Sequence, residues 1–282
     1  EKNLLDLKVL TVTGQTLGEN LSHWENSVRR VRFREKLLEL DGIQPEDVIM
    51  NFKRAAQKGL TSTICFPTGN LAPQGSVVKS TAIDSTILDS YGIYRMTGPA
   101  RIFYSEREAM RAVKGLSKMN IQAGDVIVLC GRGPMGSGME EVAQITLALK
   151  HLSWGKHVAL LTDARFSGVS TGACIGHIGP EALAGGPIGK LREGDIIEIK
   201  INRSKLIGTI NFIGQAGKII TPDEGKSVLE KRSVPSELQA DRRLPEDTRL
   251  WAALQNVGGG TWGGCVYDID QIIDILEKNS LR

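Results

Sequence analysis

Two uninterrupted apolar runs stand out along the chain, VIVLC at Val126–Cys130 and HVALL at His157–Leu161. Each is short, rich in β-branched or aliphatic residues and bounded by glycine or polar residues. That pattern predicts strands buried on both faces. Around them the pattern predicts a strand at ARIFY, a helix over SEREAMRAVKGL with Ser105 as its cap, and a helix over MEEVAQITLALKHL. GDIIEIKINRSKLIGTINFI reads as two or three strands with a turn at Asn202–Ser204, and SVVKSTAI as another strand. DIDQIIDILEK predicts a closing helix, preceded by the glycine-rich loop GGGTWGGC. The polar, proline-bearing stretch 222–248 reads as a surface excursion.

The first part of the chain has a different texture. TGQTLGENLSHWENSVRRVRFREKLLEL is charged and helix-forming, and PEDVI places Pro45 at the first position of a short helix. From about Thr61 glycine, proline and strand-like runs take over. The expected organisation is therefore a helical arm over residues 1–55 and a second domain over 56–282. Many short strands with few helices predict an α/β fold with a mixed, barrel-like sheet flanked by helices, rather than a layered parallel sheet. No internal repeat is visible, and no repeated βαβ module is expected around the first apolar run.

Composition narrows the classes. The chain has 282 residues, 41% of them apolar, so it can bury a substantial core. Thirty-five basic residues face 32 acidic ones, an excess too small to argue for nucleic acid or an anionic membrane as partner. No apolar run approaches the roughly 20 residues of a membrane span. The opening EKNLLDLK carries no secretory signal and no initiator methionine, so a fragment of a longer chain is expected. Cys65, Cys130, Cys174 and Cys265 form no CxxC pair and read as reduced, mostly buried thiols of a cytoplasmic protein.

VIVLCGRGPMGSGMEEV poses the first chemical question. Gly131, Gly133 and Gly136 have GxGxxG spacing after a strand, and a later strand ends in Asp163, the order of a dinucleotide-binding unit. Pro134 weighs against that reading, because it removes a backbone N–H where a pyrophosphate needs donors. Asp163 also lies 27 residues past Gly136, where about 20 is usual. Ser137 and Glu140 fit a capping box at the start of the following helix. Glu141 is then left in the first turn, either as a carboxylate favoured by the helix dipole or as a ligand to a cation such as Mg²⁺. In TDARFSGVSTGACIGHIGP, Ser167 follows a strand end, flanked by Asp163 and Arg165 and followed by Ser170 and Thr171. The plain reading is a turn held by an Asp163–Arg165 pair, the sharper one a reactive hydroxyl. His177 is either a satisfied polar residue or a catalyst, and no Ser–His–Asp triad can be read from spacing.

Five segments in order carry a resemblance: TGNLAPQGSVVK at 68–79, GPARIFYSEREA at 98–109, GPMGSGMEEV, ALLTDARFSGVS at 159–170, and GHIGPEALAGGPIGKLREGDIIEI at 176–199. Together they resemble the dihydroxy-acid and sugar-acid dehydratase family. LWAALQNVGGGTWGGCVYDID is similar to the branch acting on pentonates such as D-xylonate. The resemblance implies a hydro-lyase that converts a 2,3-dihydroxy acid to a 2-keto-3-deoxy acid. It implies a larger N-terminal domain, missing here, that carries an iron–sulfur cluster and most Mg²⁺ ligands, including a carbamylated lysine. Residues 1–55 would be the tail of that domain. The rest would be a β-barrel flanked by helices, similar to the swivelling domain of aconitase-like enzymes. Glu141 corresponds to a Mg²⁺ ligand and Ser167 to a serine acting as an alkoxide base. Asp163, Arg165, Ser170, Thr171 and His177 are expected to touch the substrate or support those residues. Where the family often has Thr or Gly, two positions beyond the serine, this chain has Val169, so Ser170 or Thr171 would have to supply a hydroxyl. The resemblance also implies a homo-oligomer, dimer or tetramer, inactive without its other domain. Open alternatives are a dihydroxy-acid dehydratase of branched-chain amino-acid synthesis, a phosphogluconate dehydratase, or a noncatalytic binding subunit.

Overall fold

The computed structural model describes residues 4–57, 63–215, 217–243, 245–258, 264 and 266–280. The chain divides into two compact units, Glu1–Thr61 and Ser62–Arg282. Among its described residues the first holds four helices: α1 (Leu17–Glu25), α2 (Val28–Asp41), α3 (Pro45–Val48) and α4 (Phe52–Gln57). Their boundaries follow local chemistry. Thr16 and Glu19 form a reciprocal capping box, Ser27 caps α2, Gly42 ends it in the left-handed region, and Pro45 opens α3. None of these helices buries a residue, and Trp24, Phe33 and Leu38 stay exposed.

The second unit is built on a curled nine-stranded half-barrel. In chain order its elements are β1 (Ile64–Cys65), β2 (Gly75–Lys79), β3 (Ile93–Phe103), α5 (Glu106–Val113), β4 (Val126–Leu129), α6 (Pro134–Ser137), β5 (Glu141–Val142), α7 (Gln144–Lys150) and β6 (Ala159–Thr162). There follow β7 (Arg165–Phe166), β8 (Ala173–Gly179), β9 (Asp195–Asn202), β10 (Ile207–Gln215), β11 (Lys218–Ile219), α8 (Pro222–Lys231), α9 (Glu246–Val257) and α10 (Ile269–Ser280). The sheet order is β1-β2-β8-β6-β4-β3-β9-β10-β11, with β5 and β7 paired separately.

The sheet is mixed, as its apolar pattern implies. β3, β4, β6 and β8 run parallel at its centre, while β1, β2 and β9–β11 add antiparallel flanks. β4 and β6 are buried at every position, which is why they read as unbroken apolar runs. Val126 and Val128 point into the curl with Leu161, Ile197, Ile199 and Phe212. Ile127 and Leu129 point the other way, against Ala109 and Val113 of α5 and Ile145 and Leu149 of α7. Each fully buried valine, leucine, isoleucine or phenylalanine among them contributes about 1.5–3 kcal/mol. Asn202 makes the expected turn, its side chain accepting from Ser204 and Lys205 backbone N–H at 3.1 and 2.8 Å.

Several expectations are corrected. Repeated βαβ modules are present: α5 crosses from β3 to β4, and α6 and α7 lie between β4 and β6. Ser105 stands at the N-cap of α5 without a side-chain cap bond. The helix read from MEE begins only at Gln144, where Glu106 accepts the first backbone N–H at 3.0 Å. SVVKSTAI leaves the strand at Lys79. The stretch 222–248 is not merely an excursion. Thr221 and Glu224 cap α8, which buries Leu229, and Leu238 joins the same core. Arg232 locks the segment to the sheet through an ion pair with fully buried Asp195 and stacks 4.7 Å from the Phe212 ring. Most of GGGTWGGC, with Cys265, lies outside the described residues. Among the described residues no helix is long and apolar enough to cross a membrane.

Candidate active site

The glycine turn after β4 is filled by the protein's own acids. Gly131 has φ +74°, and the backbone N–H groups of Gly131 and Arg132 donate to the Asp163 carboxylate at 3.0 and 2.9 Å. A third N–H, from Ala182, reaches the same carboxylate at 2.9 Å. Asp163 is fully buried; burial pushes its carboxyl up while the three amides pull it down. Met135 N–H, in the first turn of α6, donates to Glu181 at 3.1 Å. The turn also closes on itself: a Cβ at Gly136 would stand 1.9 Å from the Gly131 carbonyl oxygen. The donors that a pyrophosphate would need are therefore already engaged by two internal carboxylates, which explains the dinucleotide-like spacing without a dinucleotide. Asp163 does not pair with Arg165, contrary to the turn expected from sequence.

The capping box also resolves differently. Ser137 Oγ accepts from Glu140 N–H at 3.3 Å, but the helix ends there, since Gly138 is left-handed and Met139 has φ +61°. The Glu140 carboxylate accepts from Arg132 Nε at 2.6 Å, and Arg132 reaches on to Asp241 at 3.4 Å. The double reversal delivers Glu141 into a short strand, not into a helical first turn. β5 and β7 pair in parallel, Glu141 opposite Arg165 and Val142 opposite Phe166. Val142 and Phe166 pack beneath, against the core under α5 and α7. Strand alternation sends Glu141 and Arg165 the other way, toward solvent, where they lie 3.6 Å apart. Arg165 Nε also donates to the Met139 carbonyl at 3.0 Å.

Ser167 follows directly on β7, two positions beyond Arg165. Its Oγ accepts from Val169 N–H at 3.3 Å, and its carbonyl accepts from Ser170 N–H at 3.0 Å. Lys79 Nζ, at the end of β2, donates to the Gly168 carbonyl at 2.7 Å. His177 has φ +52°, and its backbone N–H donates to the Ala164 carbonyl at 2.8 Å. Its ring meets the Phe166 ring edge-on at 6.4 Å, and burial with the nearby Arg165 charge keeps its pKa low. Glu141 and Arg165 thus face each other across the strand pair, Ser167 follows it, and His177 packs on its Phe166. Asp163 is turned to the glycine turn and Ala182 instead. Ser170 is buried with its hydroxyl 3.3 Å from that of Thr146 on α7, and Thr171 lines a separate cavity of about 370 Å³ with Lys150, Lys156 and Cys174. Neither hydroxyl joins Ser167. Sequence reading missed Lys79, Arg132 and Glu181. For Glu181 the one signal was a lone acid among glycine, proline and alanine.

Glu141, a solvent-reaching carboxylate, is the kind of oxygen donor Mg²⁺ takes, and it fits as one ligand. Among the described residues no three His, Cys, Asp or Glu side chains assemble a complete metal site. Cys65, Cys130 and Cys174 are buried at separate places, in β1, after β4 and in β8, and no group of three ligating side chains gathers them among the described residues, so they do not fit an iron–sulfur cluster.

Known proteins carry the same chain pattern. The family model described as dihydroxy-acid/6-phosphogluconate dehydratase C-terminal matches residues 47–218. Two D-xylonate dehydratases of Escherichia coli, YagF and YjhG, are 58% and 54% identical over 97% and 98% of this chain, which covers 41% and 43% of their lengths. A dihydroxy-acid dehydratase of Solidesulfovibrio magneticus is 41% identical over 79% of the chain, covering 36% of that protein. The chain spans about two-fifths of the length of the curated relatives it matches. It belongs to the C-terminal family of the dihydroxy-acid and 6-phosphogluconate dehydratases.

Proposed function

We propose that this chain is the C-terminal part of a sugar-acid dehydratase, a hydro-lyase that removes water from a pentonate such as D-xylonate to give a 2-keto-3-deoxy acid. The observation that carries the reading is the β5–β7 pairing, which sets the backbone of a carboxylate arm, Glu141, beside that of a hydroxyl loop, Ser167. In this assignment residues 1–55 end an N-terminal domain and 56–282 form the C-terminal one.

Ser167 Oγ takes the C2 proton of the substrate. A free serine hydroxyl ionises far above neutral pH, so its alkoxide needs donors and positive charge. The loop offers both: Val169 N–H points at Oγ, while Lys79 holds the next carbonyl and Arg165 stands two residues before. Glu141 would hold Mg²⁺, which when bound neutralises the substrate carboxylate and the enolate-like charge that follows proton loss. His177, its pKa lowered by burial and by the Arg165 charge, packs its ring on Phe166 of β7. Departure of the C3 hydroxyl is assigned to groups outside this chain, because its described residues gather no set of three metal-ligating side chains.

A dihydroxy-acid substrate is the second reading, favoured by the identity to dihydroxy-acid dehydratases. The test is 2-keto acid formation by the full-length protein on D-xylonate, other pentonates, 6-phosphogluconate and a branched 2,3-dihydroxy acid. Turnover of a pentonate well above the others is expected. Preference for the branched acid would move the assignment to the second reading, and no dehydration of any of them would sink both.

A further inference from the structure

Glu181 is an acid with no role in that chemistry, yet it is only 9% exposed. No lysine or arginine forms an ion pair with it among the described residues, and the charged group facing it is a second buried carboxylate, Asp163. Burying an unpaired carboxylate beside another one destabilises the fold. An alanine or leucine at this position would avoid that cost, so packing does not explain a glutamate here.

The contacts do. Both Glu181 oxygens lie 3.1 Å from Met135 N, and the Gly136 amide also favours the charged form. A Cβ at Gly133 would stand 2.3 Å from the carboxylate, so the backbone of the turn is laid directly against it. Asp163 grips the same turn from the other side through Gly131 and Arg132 and ties in the Glu181 loop through Ala182 N–H. From Met135 the chain runs through α6 and the left-handed Gly138 to Glu141, six residues away. Movement at the start of α6 therefore moves Glu141.

We propose that Glu181 is a positioning residue: its carboxylate fills the amide cradle of the glycine turn as a built-in anion and so holds the segment that carries Glu141. The link to catalysis rests on the reading given above, whereas the filling of the cradle does not. A carboxylate acting as an anion in a cradle can be replaced by a free one, which a residue that merely packs cannot.

The test compares Glu181→Ala and Glu181→Gln in the full-length protein, with and without added formate. The first readout is hydrogen exchange over residues 131–142. Faster exchange in Glu181→Ala, slowed again by formate, is expected; unchanged protection, or a loss that formate leaves untouched, overturns the proposal. The second readout is the Mg²⁺ dependence of dehydration. Half-saturation should rise about 10–100-fold in Glu181→Ala and recover with formate, the range typical of residues that orient a metal ligand. Should Glu181→Ala fail to fold, Glu181→Gln decides: a higher Mg²⁺ half-saturation supports the proposal, and wild-type Mg²⁺ dependence with wild-type exchange overturns it. Wild-type protein that dehydrates no sugar acid would refute the functional reading, while the exchange experiment would still decide the cradle.

Discussion

The glycine turn at 130–138 and the serine loop at 165–172 follow neighbouring parallel strands of one sheet, yet they are built in opposite ways. The turn is buried and its amides are held by Asp163 and Glu181. The loop leaves Gly168 and Val169 exposed and is tethered mainly through Lys79, Ser170 and its own backbone. One is closed around buried carboxylates. The other leaves the residues after Ser167 open to solvent, and the short β5–β7 pair joins them. Closure and access are thereby assigned to different segments, which is how a site can be both preorganised and open.

If that division is right, the two segments should fail differently. Ser167→Ala should lower kcat by about 10²–10⁴, the usual contribution of a positioned base, with little change in Tm because the site is open. An equal loss of Tm would make Ser167 a structural residue. Asp163→Ala should do the reverse. It leaves three buried amides without an acceptor and should cost at least about 3 kcal/mol in denaturant unfolding. Stability within error of the wild type would remove the closed turn from the comparison.

A smaller effect is expected on stability against pH. Burial raises the Glu181 carboxyl from its ordinary 4.5 to about 7, with Asp163 adding to the rise and the Met135 and Gly136 amides opposing it. The folded state then binds that proton more tightly than the unfolded chain. The associated stability is complete below pH 4.5 and is lost as pH rises through 7, by at most about 3 kcal/mol. Glu181→Gln lacks this loss, so its stability relative to wild type should climb between pH 5 and 8. Parallel curves would show that the carboxylate is not held at a cost. The smallest effect belongs to the exposed pair. Glu141→Gln should change stability by less than about 1 kcal/mol, since the ion pair with Arg165 is half-exposed, while the Mg²⁺ requirement of dehydration rises.

Much of this molecule was legible in its apolar pattern, and the exceptions share a cause. β4, β6, β9, β10, α5 and α10 announce themselves because each satisfies its backbone locally or buries a periodic set of side chains. α8 did not, because its one deeply buried leucine is outnumbered by polar residues, and its hold on the sheet comes from Arg232 and distant Asp195. Ser137 and Glu140 satisfied a helix-start rule, yet Gly138 and Met139 turn the chain into a strand whose partner, Arg165–Phe166, lies over 20 residues away.

The same limit governs the site. By itself the chain's pattern of residues determined the buried strands and the glycine turn, which rest on local order, while five ordered motifs carried the resemblance to the family and, through it, the choice of Glu141 and Ser167 as candidates. Only the tertiary structure decided that the turn is closed by Asp163 and Glu181, that Arg165 faces Glu141, and that the Ser170 hydroxyl meets Thr146 while Thr171 lines another cavity. Those outcomes depend on which buried donors meet which acceptors across the sheet, and a hydrogen bond between residues far apart in sequence leaves no periodic trace along it.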